Sequence, residues 1–382
     1  MTRPVSRTAR VIAPLLLIAI TLALAEIALR SWFYLFPPLN HTLLSPYKTG
    51  LHLFEPSERN VFYRVKPGYR QVLQRYEFKV DIQTNNIGLR EERDYLGDAV
   101  DIAFVGDSFT FGWGVEQGER YSDVVARAFP GLNVLSYSYP NGHAPVNYLA
   151  FLQQNPELMP KVLVLGLFAF NDLADDTADA IVHSEDGVIR SIESRALMVD
   201  GEGFIVSKNH QAPAFFSPGW FGLHTAVGRA VKVAAGQLRN WGKAIPRADK
   251  LRPMDLGQWD ETALQALEHV RQLDRMARQA NSVLLVFYIP FPSHVGETPV
   301  CIYTPELCAG QRSSLMLGEA LSAWAAEENI RFIDPVGYFR VLESQGEELY
   351  YPYDAHWTPR GHAAAGKMIA DYLKIYGLVK DG

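Results

Sequence analysis

Asp101-Ile102-Ala103-Phe104-Val105-Gly106-Asp107-Ser108-Phe109-Thr110-Phe111-Gly112-Trp113-Gly114 is the stretch from which the fold is read. The apolar run from Ile102 to Val105 has the character of a strand buried on both faces. It stops at Gly106-Asp107-Ser108, a small-residue turn that leads toward a helix. Open α/β sheets bind their ligands beyond the carboxyl ends of the strands, so a serine on this turn presents its hydroxyl there. Ser108 is therefore a candidate nucleophile. The plainer reading of the same turn makes Ser108 the N-cap of the next helix. No Gly-x-Gly-x-x-Gly follows the strand and no Gly-Lys-Ser/Thr ends it, so neither a dinucleotide nor a P-loop phosphate site has support. The turn points to an acyl or ester centre.

Outward from this stretch, apolar runs alternate with helical patterns. A helix near Tyr121 to Ala128 precedes a strand from Asn133 to Tyr139 and a helix from Pro145 to Gln154. A third strand, Lys161 to Phe168, ends at Phe170-Asn171-Asp172. After an insertion at about 173–260 come a helix near Asp260 to Ala280, a strand Val283 to Ile289, a helix around Ser314 to Glu328, a strand Ile330 to Asp334, and a final helix reaching about Ile375. This alternation is the signature of a mostly parallel sheet covered on both faces, a three-layer α/β/α fold.

Within the insertion, Asp172, Asp175, Asp176 and Asp179 read as a solvated acidic loop, because no glycine-containing calcium spacing accompanies them. Val188 to Arg190 and Gly203 to Val206 suggest one small hairpin. The aromatic cluster from Phe215 to Phe221 precedes a helix expected from Leu223 to Leu238, and ordinary packing on the core is preferred for it over a substrate groove or a lipid contact. Ahead of the sheet, residues 37–60 are rich in Pro, Ser and Asn and read as a linker. Residues 61–90 carry β-formers in partial alternation, enough for two or three short antiparallel strands.

The first forty residues give the chain its address. Arg3, Arg7 and Arg10 precede an uncharged run from Val11 to Ala25, then Glu26 to Arg30 and the aromatic run Trp32-Phe33-Tyr34. Counted through Leu35, the segment reaches the roughly 20 residues that span a bilayer, with arginines on one side and aromatics at the far interface. Glu26 and Arg30 stand one helical turn apart in the favourable order. A retained single-pass anchor in the inner membrane is the preferred reading, with the remainder on the periplasmic or extracellular side. A cleavable signal ending near Ala23-Leu24-Ala25 is the alternative. The balance of 36 basic against 42 acidic residues leaves no basic footprint for nucleic acid. Cys301 and Cys308, with six residues between them and without a Cys-x-x-Cys, read as a disulfide in an oxidising compartment and not as a metal site, with two free thiols as the alternative.

Four residues sit where chemistry is expected, on loops after strands or just ahead of the last helix: Ser108, Asn171, Asp354 and His356. Acyl transfer needs a nucleophilic hydroxyl, an imidazole to take its proton, a carboxylate to hold the imidazole's tautomer, and donors for the oxyanion. All are present, although a buried structural histidine is the plain reading of His356 taken alone. His362 is the fallback base, with packing inside the last helix preferred. His143 reads as a loop-surface residue able to contact substrate. Asp107 reads as a turn residue, because a carboxylate beside Ser108 would oppose alkoxide formation.

With these residues in view, the chain resembles the SGNH (GDSL-type) hydrolases. Gly106-Asp107-Ser108-Phe109 is similar to that family's first block, Asn141-Gly142 to its second, Asn171-Asp172 to its third and Asp354-Ala355-His356 to its last. The amino-terminal anchor, the β-rich lead-in and Thr110 to Val115 resemble the membrane-anchored bacterial members. The resemblance implies Ser108 as nucleophile and His356 as general base and acid, oriented by Asp354. It implies an oxyanion hole from the Ser108 N–H, the Gly142 N–H and the Asn171 side chain, with neither cofactor nor metal. It places the membrane anchor at 1–36, the linker and lead-in at 37–95, and the hydrolase domain at 96–380.

Three departures stand out. The donor of the second block falls at Asn141 or, one residue on, at Gly142. The third block has Ala169 where the family has glycine. The last block is Asp-x-His-Trp in place of Asp-x-x-His, a form similar to the alginate O-acetyltransferases of the same superfamily. The implied activity is an exported serine esterase that removes O-acetyl or other short acyl groups from an envelope or secreted glycan, its partners being an acylated carbohydrate or small ester and the membrane. An O-acetyltransferase and a non-catalytic envelope protein of the same fold are the alternatives.

Overall fold

The structure, a computed structural model, describes residues 7–35, 51–57, 63–75, 77–140, 143–168, 171–173, 180–208, 225–228, 230–231, 259–295, 313–352 and 354–379. The chain divides into two units, one of residues 1–50 and 210–245, the other of residues 51–209 and 246–382.

In the first unit, Arg7–Leu35 forms one helix of 29 residues, α1. Its Ile12–Trp32 stretch, 21 residues whose most apolar 18-residue window has a mean hydropathy of 2.4, is long and apolar enough to cross a membrane. Glu26 and Arg30 form the ion pair that their spacing predicts, at 2.7 Å. The Glu26 carboxylate also accepts the backbone N–H groups of Ala226 and Val227 at 2.8 and 2.9 Å. A cation and two amides thus satisfy a carboxylate set among apolar side chains.

The second unit opens with the lead-in. Phe54–Pro56 (β1) pairs antiparallel with Tyr63–Val65 (β2), and Arg70–Gln74 (β3) with Lys79–Gln83 (β4). Leu51, Leu53, Phe54, Tyr63, Val65, Leu73, Val80 and Ile82 are buried together with Phe111. Residues 51–57 therefore depart from the linker expectation. Pro56 and Ser57 suggested a loop, but the apolar side chains ahead of them find partners across β2.

Ile102–Gly106 (β5), Val134–Ser138 (β6), Val162–Leu167 (β7), Val283–Tyr288 (β12) and Arg331–Ile333 (β13) make a five-stranded sheet in the order β13-β12-β7-β5-β6. All its pairings are parallel. The intervening insertion adds two hairpins in place of the one expected. Ala180–Glu185 (β8) pairs with Val188–Ser194 (β9), and Leu197–Val199 (β10) with Ile205–Ser207 (β11). The expected partners Val188 and Ile205 each turn back on nearer segments, because short connections close more readily than long ones.

Alternate side chains of the sheet enter two separate cores. Ala103, Val105, Leu163, Leu165 and Val286 pack against Pro145–Gln154 (α4), Glu261–Gln279 (α5) and Ser313–Glu327 (α7). Ile102, Phe104, Val162, Val164 and Phe287 pack against Tyr121–Ala128 (α3), Val336–Ser344 (α8) and Pro359–Ile375 (α9). Burial on both faces gives the three-layer α/β/α architecture and explains the absence of polar alternation in these strands. Caps set the helix starts: Asp260 accepts the Ala263 N–H at 2.9 Å, and Thr358 accepts that of Gly361 at 3.3 Å, with Pro359 in the first turn. The helices Pro292–Val295 (α6) and α8 have no counterpart in the sequence reading.

The strand order carries the functional consequence. The chain runs from β5 outward to β6, then crosses back to β7, β12 and β13, so the direction of winding reverses between β5 and β7. A crevice opens at such a reversal. Gly106 and Gly166 stand opposite each other there. A Cβ on Gly166 would lie 2.6 Å from both Thr110 Oγ1 and Tyr121 Oη. The two glycines thus admit the hydrogen-bonded Thr110–Tyr121 pair (2.7 Å) and let Ser108–Phe111 (α2) settle on the strand ends.

Candidate active site

Ser108 is the first residue of α2, directly after β5. The cap of that helix is Asp107, whose Oδ1 accepts the Phe109 N–H at 3.0 Å. The N-cap expected as the plain reading of Ser108 belongs to its neighbour, and the Ser108 hydroxyl is left for other contacts.

Those contacts come from the far end of the chain. Tyr350 and Trp357 form an antiparallel bridge that closes a tight turn. Within it the Tyr351 N–H donates to the His356 carbonyl at 2.8 Å, and the Ala355 N–H to the Tyr351 carbonyl at 3.0 Å. Ala355 has φ +68°, a left-handed conformation unusual for a residue with a Cβ. That conformation brings Asp354 Oδ1 to 2.5 Å from His356 Nδ1 despite the single residue between them. His356 Nε2 then lies 2.8 Å from Ser108 Oγ. With Asp354 ionised, Nδ1 must carry the ring proton, so Nε2 accepts from the serine hydroxyl. The Phe109 ring lies 4.7 Å from the imidazole and Trp113 6.0 Å from it, holding the ring from the side of the nucleophile loop.

Asn171 follows β7, on the other side of the reversal. Its turn is set by Asp172, fully buried, whose Oδ2 accepts the Phe168 N–H at 2.9 Å. The solvated acidic loop expected there is corrected at this residue, because the carboxylate is consumed in closing the turn. Asp175, Asp176 and Asp179 lie outside the described residues. Asn171 Nδ2 donates to Asp107 Oδ2 at 3.2 Å, which brings its amide to the turn that bears Ser108. Burial pushes the Asp107 carboxyl up to about 6, against the opposing pull of the Phe109 N–H, His356 and the Asn171 amide. Gly142, Asn141, Ala169, the cysteine pair Cys301 and Cys308 and the aromatic cluster from Phe215 to Phe221 all lie outside the described residues.

His143 departs from its expected place on a loop surface. It is buried, its Nδ1 is 2.9 Å from Tyr63 Oη, and desolvation pulls its pKa down to about 3. The lead-in strand β2 covers it, a contact between residues 80 apart that no local pattern announces. His362 packs as expected. It is fully buried, its Nδ1 accepts the Tyr121 N–H at 3.3 Å, and burial lowers its pKa to about 3.

The largest omission from the sequence reading is Arg90. It is buried and donates to the carbonyls of Phe111 (2.9 Å), Gly112 (2.6 Å) and Val115 (2.7 Å), pinning the loop that follows the nucleophile. Burial, with the charge of Arg120 beside it, lowers its pKa to about 9. Arg120 is itself paired to Glu91 and Asp123 at 3.0 and 2.6 Å. The left-handed glycines at 112 and 114, which turn the loop carbonyls, are the one local signal that such a donor was required. Among the described residues no group of His, Cys, Asp and Glu is placed to hold a metal ion.

A hydroxyl, an imidazole and a carboxylate joined in this order can move a proton off the hydroxyl as it attacks an electrophilic carbonyl. No family model matches the chain, and no curated protein matches it. Among solved structures it is similar to TesA at a TM-score of 0.38 and 14% identity, over 73% of this chain and 99% of that one. A carbohydrate acetylesterase family member from Sinorhizobium meliloti matches at 0.37 and 11%, over 72% and 98%. The psychrotrophic esterase EstA from Pseudoalteromonas sp. matches at 0.35 and 12%, over 72% and 97%. Likeness at this level assigns no activity, and the chemistry is read from the geometry of the site.

Proposed function

We propose that this chain is a serine esterase of the SGNH type, exported and held at the inner membrane by α1. It would remove O-acetyl or other short acyl groups from an envelope or secreted glycan. The observation that carries the reading is the continuous relay from Ser108 Oγ through His356 to Asp354, at 2.8 and 2.5 Å.

Ser108 Oγ attacks the ester carbonyl as its proton passes to His356 Nε2, and Asp354 stabilises the imidazolium. The oxyanion is met by the Ser108 N–H and the Asn171 amide, with the Gly142 N–H as third donor on the resemblance alone. Collapse breaks the C–O bond to the sugar oxygen, which leaves with the proton from Nε2. Water then attacks the acyl-serine, giving its proton to His356, and the acid departs as Ser108 regains its own. The same acyl-serine would serve an O-acetyltransferase if a saccharide hydroxyl outcompeted water. A signal peptide in place of the anchor would leave the chemistry unchanged.

The test uses the full chain in detergent with a chromogenic acetate ester. Wild type should turn over at least a thousandfold faster than Ser108→Ala. Equal rates would overturn the reading, and failure of a serine-directed phosphonate to label the protein would favour a non-catalytic member. Adding a saccharide acceptor measures the partition of acetyl between sugar and water.

A further inference from the structure

The turn of the lead-in hairpin β3–β4 reaches the loop that carries Asp354 and His356. Glu77 Oε2 accepts the backbone N–H of Asp354 at 2.6 Å. Its neighbour Phe78 stands edge-on to Trp113 at 6.4 Å and tilted against Tyr351 at 5.2 Å. Trp113 donates its indole N–H to Asp354 Oδ2 at 3.3 Å, and Tyr351 donates its hydroxyl to the Gly114 carbonyl at 2.8 Å. The fit is close. A Cβ on Gly114 would lie 2.8 Å from the Tyr351 ring and 3.2 Å from the Phe78 ring.

Asp354 is thereby held at three atoms: its amide by Glu77, Oδ2 by Trp113 and Oδ1 by His356. The need for this grip follows from the spacing. The Asp-x-His order works only while Ala355 stays left-handed, and a residue with a Cβ leaves that region readily unless its neighbours prevent it. An acceptor on the Asp354 N–H fixes the peptide that enters Asp354, the Tyr351 carbonyl fixes the next one through the Ala355 N–H, and the indole fixes the rotation of the carboxylate. Glu77 also brings a second negative charge near Asp354. Arg75 in the same turn, 5.5 Å over the Trp113 ring, partly offsets it.

We infer that Glu77 and Trp113 are positioning residues for the proposed esterase, acting through Asp354, so that the lead-in is a working part of the active site and more than a tether. The inference rests on Ser108, His356 and Asp354 being the reacting groups. The experiment compares wild type, Glu77→Ala, Glu77→Gln, Trp113→Phe and Ser108→Ala in the full chain. It reads kcat and KM on an acetate ester and the low-field proton resonance of His356 Nδ1.

Glu77→Ala should lower kcat about tenfold or more with KM within about twofold, because only the geometry of the relay is disturbed. Glu77→Gln keeps an acceptor oxygen and should recover to within about threefold of wild type, and Trp113→Phe should lower kcat about fivefold. The low-field resonance should weaken or shift in Glu77→Ala and Trp113→Phe and persist in Glu77→Gln and Ser108→Ala. Wild-type kcat and resonance in Glu77→Ala would overturn the inference. Should that variant fail to fold, wild-type values in Trp113→Phe would do so. If Ser108→Ala matches wild type in rate, it is the esterase reading that falls, while the resonance still decides whether Glu77 and Trp113 hold the Asp354–His356 pair.

Discussion

Replacing Ala355 asks directly whether the Asp-x-His spacing depends on one left-handed residue. At φ +68° an alanine costs about 1–2 kcal/mol that glycine does not. Glycine gives back about 0.4–1 kcal/mol through the greater freedom of the unfolded chain. Ala355→Gly should therefore be neutral or more stable by about 0.5 kcal/mol, with kcat within about twofold of wild type.

Ala355→Val acts in the opposite direction. A β-branched residue in the left-handed region adds about 1–3 kcal/mol of strain. The site is only 8% exposed, so the added methyl groups bring a further cost of about 1 kcal/mol from overpacking. The expected loss is about 2–4 kcal/mol, with a fall in melting temperature of roughly 3–6 °C for a unit of this size. Because the hydrogen bonds from Tyr351 to His356 and from Ala355 to Tyr351 would loosen with the turn, kcat should fall at least about tenfold. Thermal unfolding and ester turnover of the three proteins side by side decide the matter. A valine variant that melts and turns over like wild type, with a glycine variant less stable by about 1 kcal/mol as in ordinary extended backbone, would refute the reasoning.

Arg90→Met should destabilise the protein by about 3 kcal/mol, since it leaves the buried carbonyls of Phe111, Gly112 and Val115 without their donor. A urea midpoint equal to that of wild type would contradict this. Stability should also fall on acidification. His143 and His362 are held at about 3 when folded and ionise near 6.5 when unfolded, so between those values the unfolded chain binds the extra protons. Each ring removes about 1.4 kcal/mol per pH unit below 6.5, or about 2 kcal/mol by pH 5. Asp107, raised to about 6, acts oppositely, its contribution being present at low pH and lost as pH rises through 6. The measurement is therefore the difference in slope between wild type and His362→Gln from pH 7 to 5. Identical slopes would rule out the buried neutral ring.

The amino-acid sequence by itself determined the elements that have a local cause. Runs such as Ile102–Val105 and Val283–Tyr288 have no polar alternation because both faces are buried, and Asp260 and Thr358 mark helix starts by what their side chains accept. Length and hydropathy single out α1, and the candidate residues are found by standing where strands end. Only the tertiary structure decided the rest. It set the strand order with its reversal between β5 and β7, the pairing of β1, the division of the insertion into two hairpins, and the burial of His143. It also brought Ser108 within 2.8 Å of a ring 248 residues away, and Glu77 to the amide of a residue 277 away. The physical reason is that periodicity and capping act over a few residues. Contacts between loops have no period, and they form only after the burial of the sheet's two faces has set which loops meet.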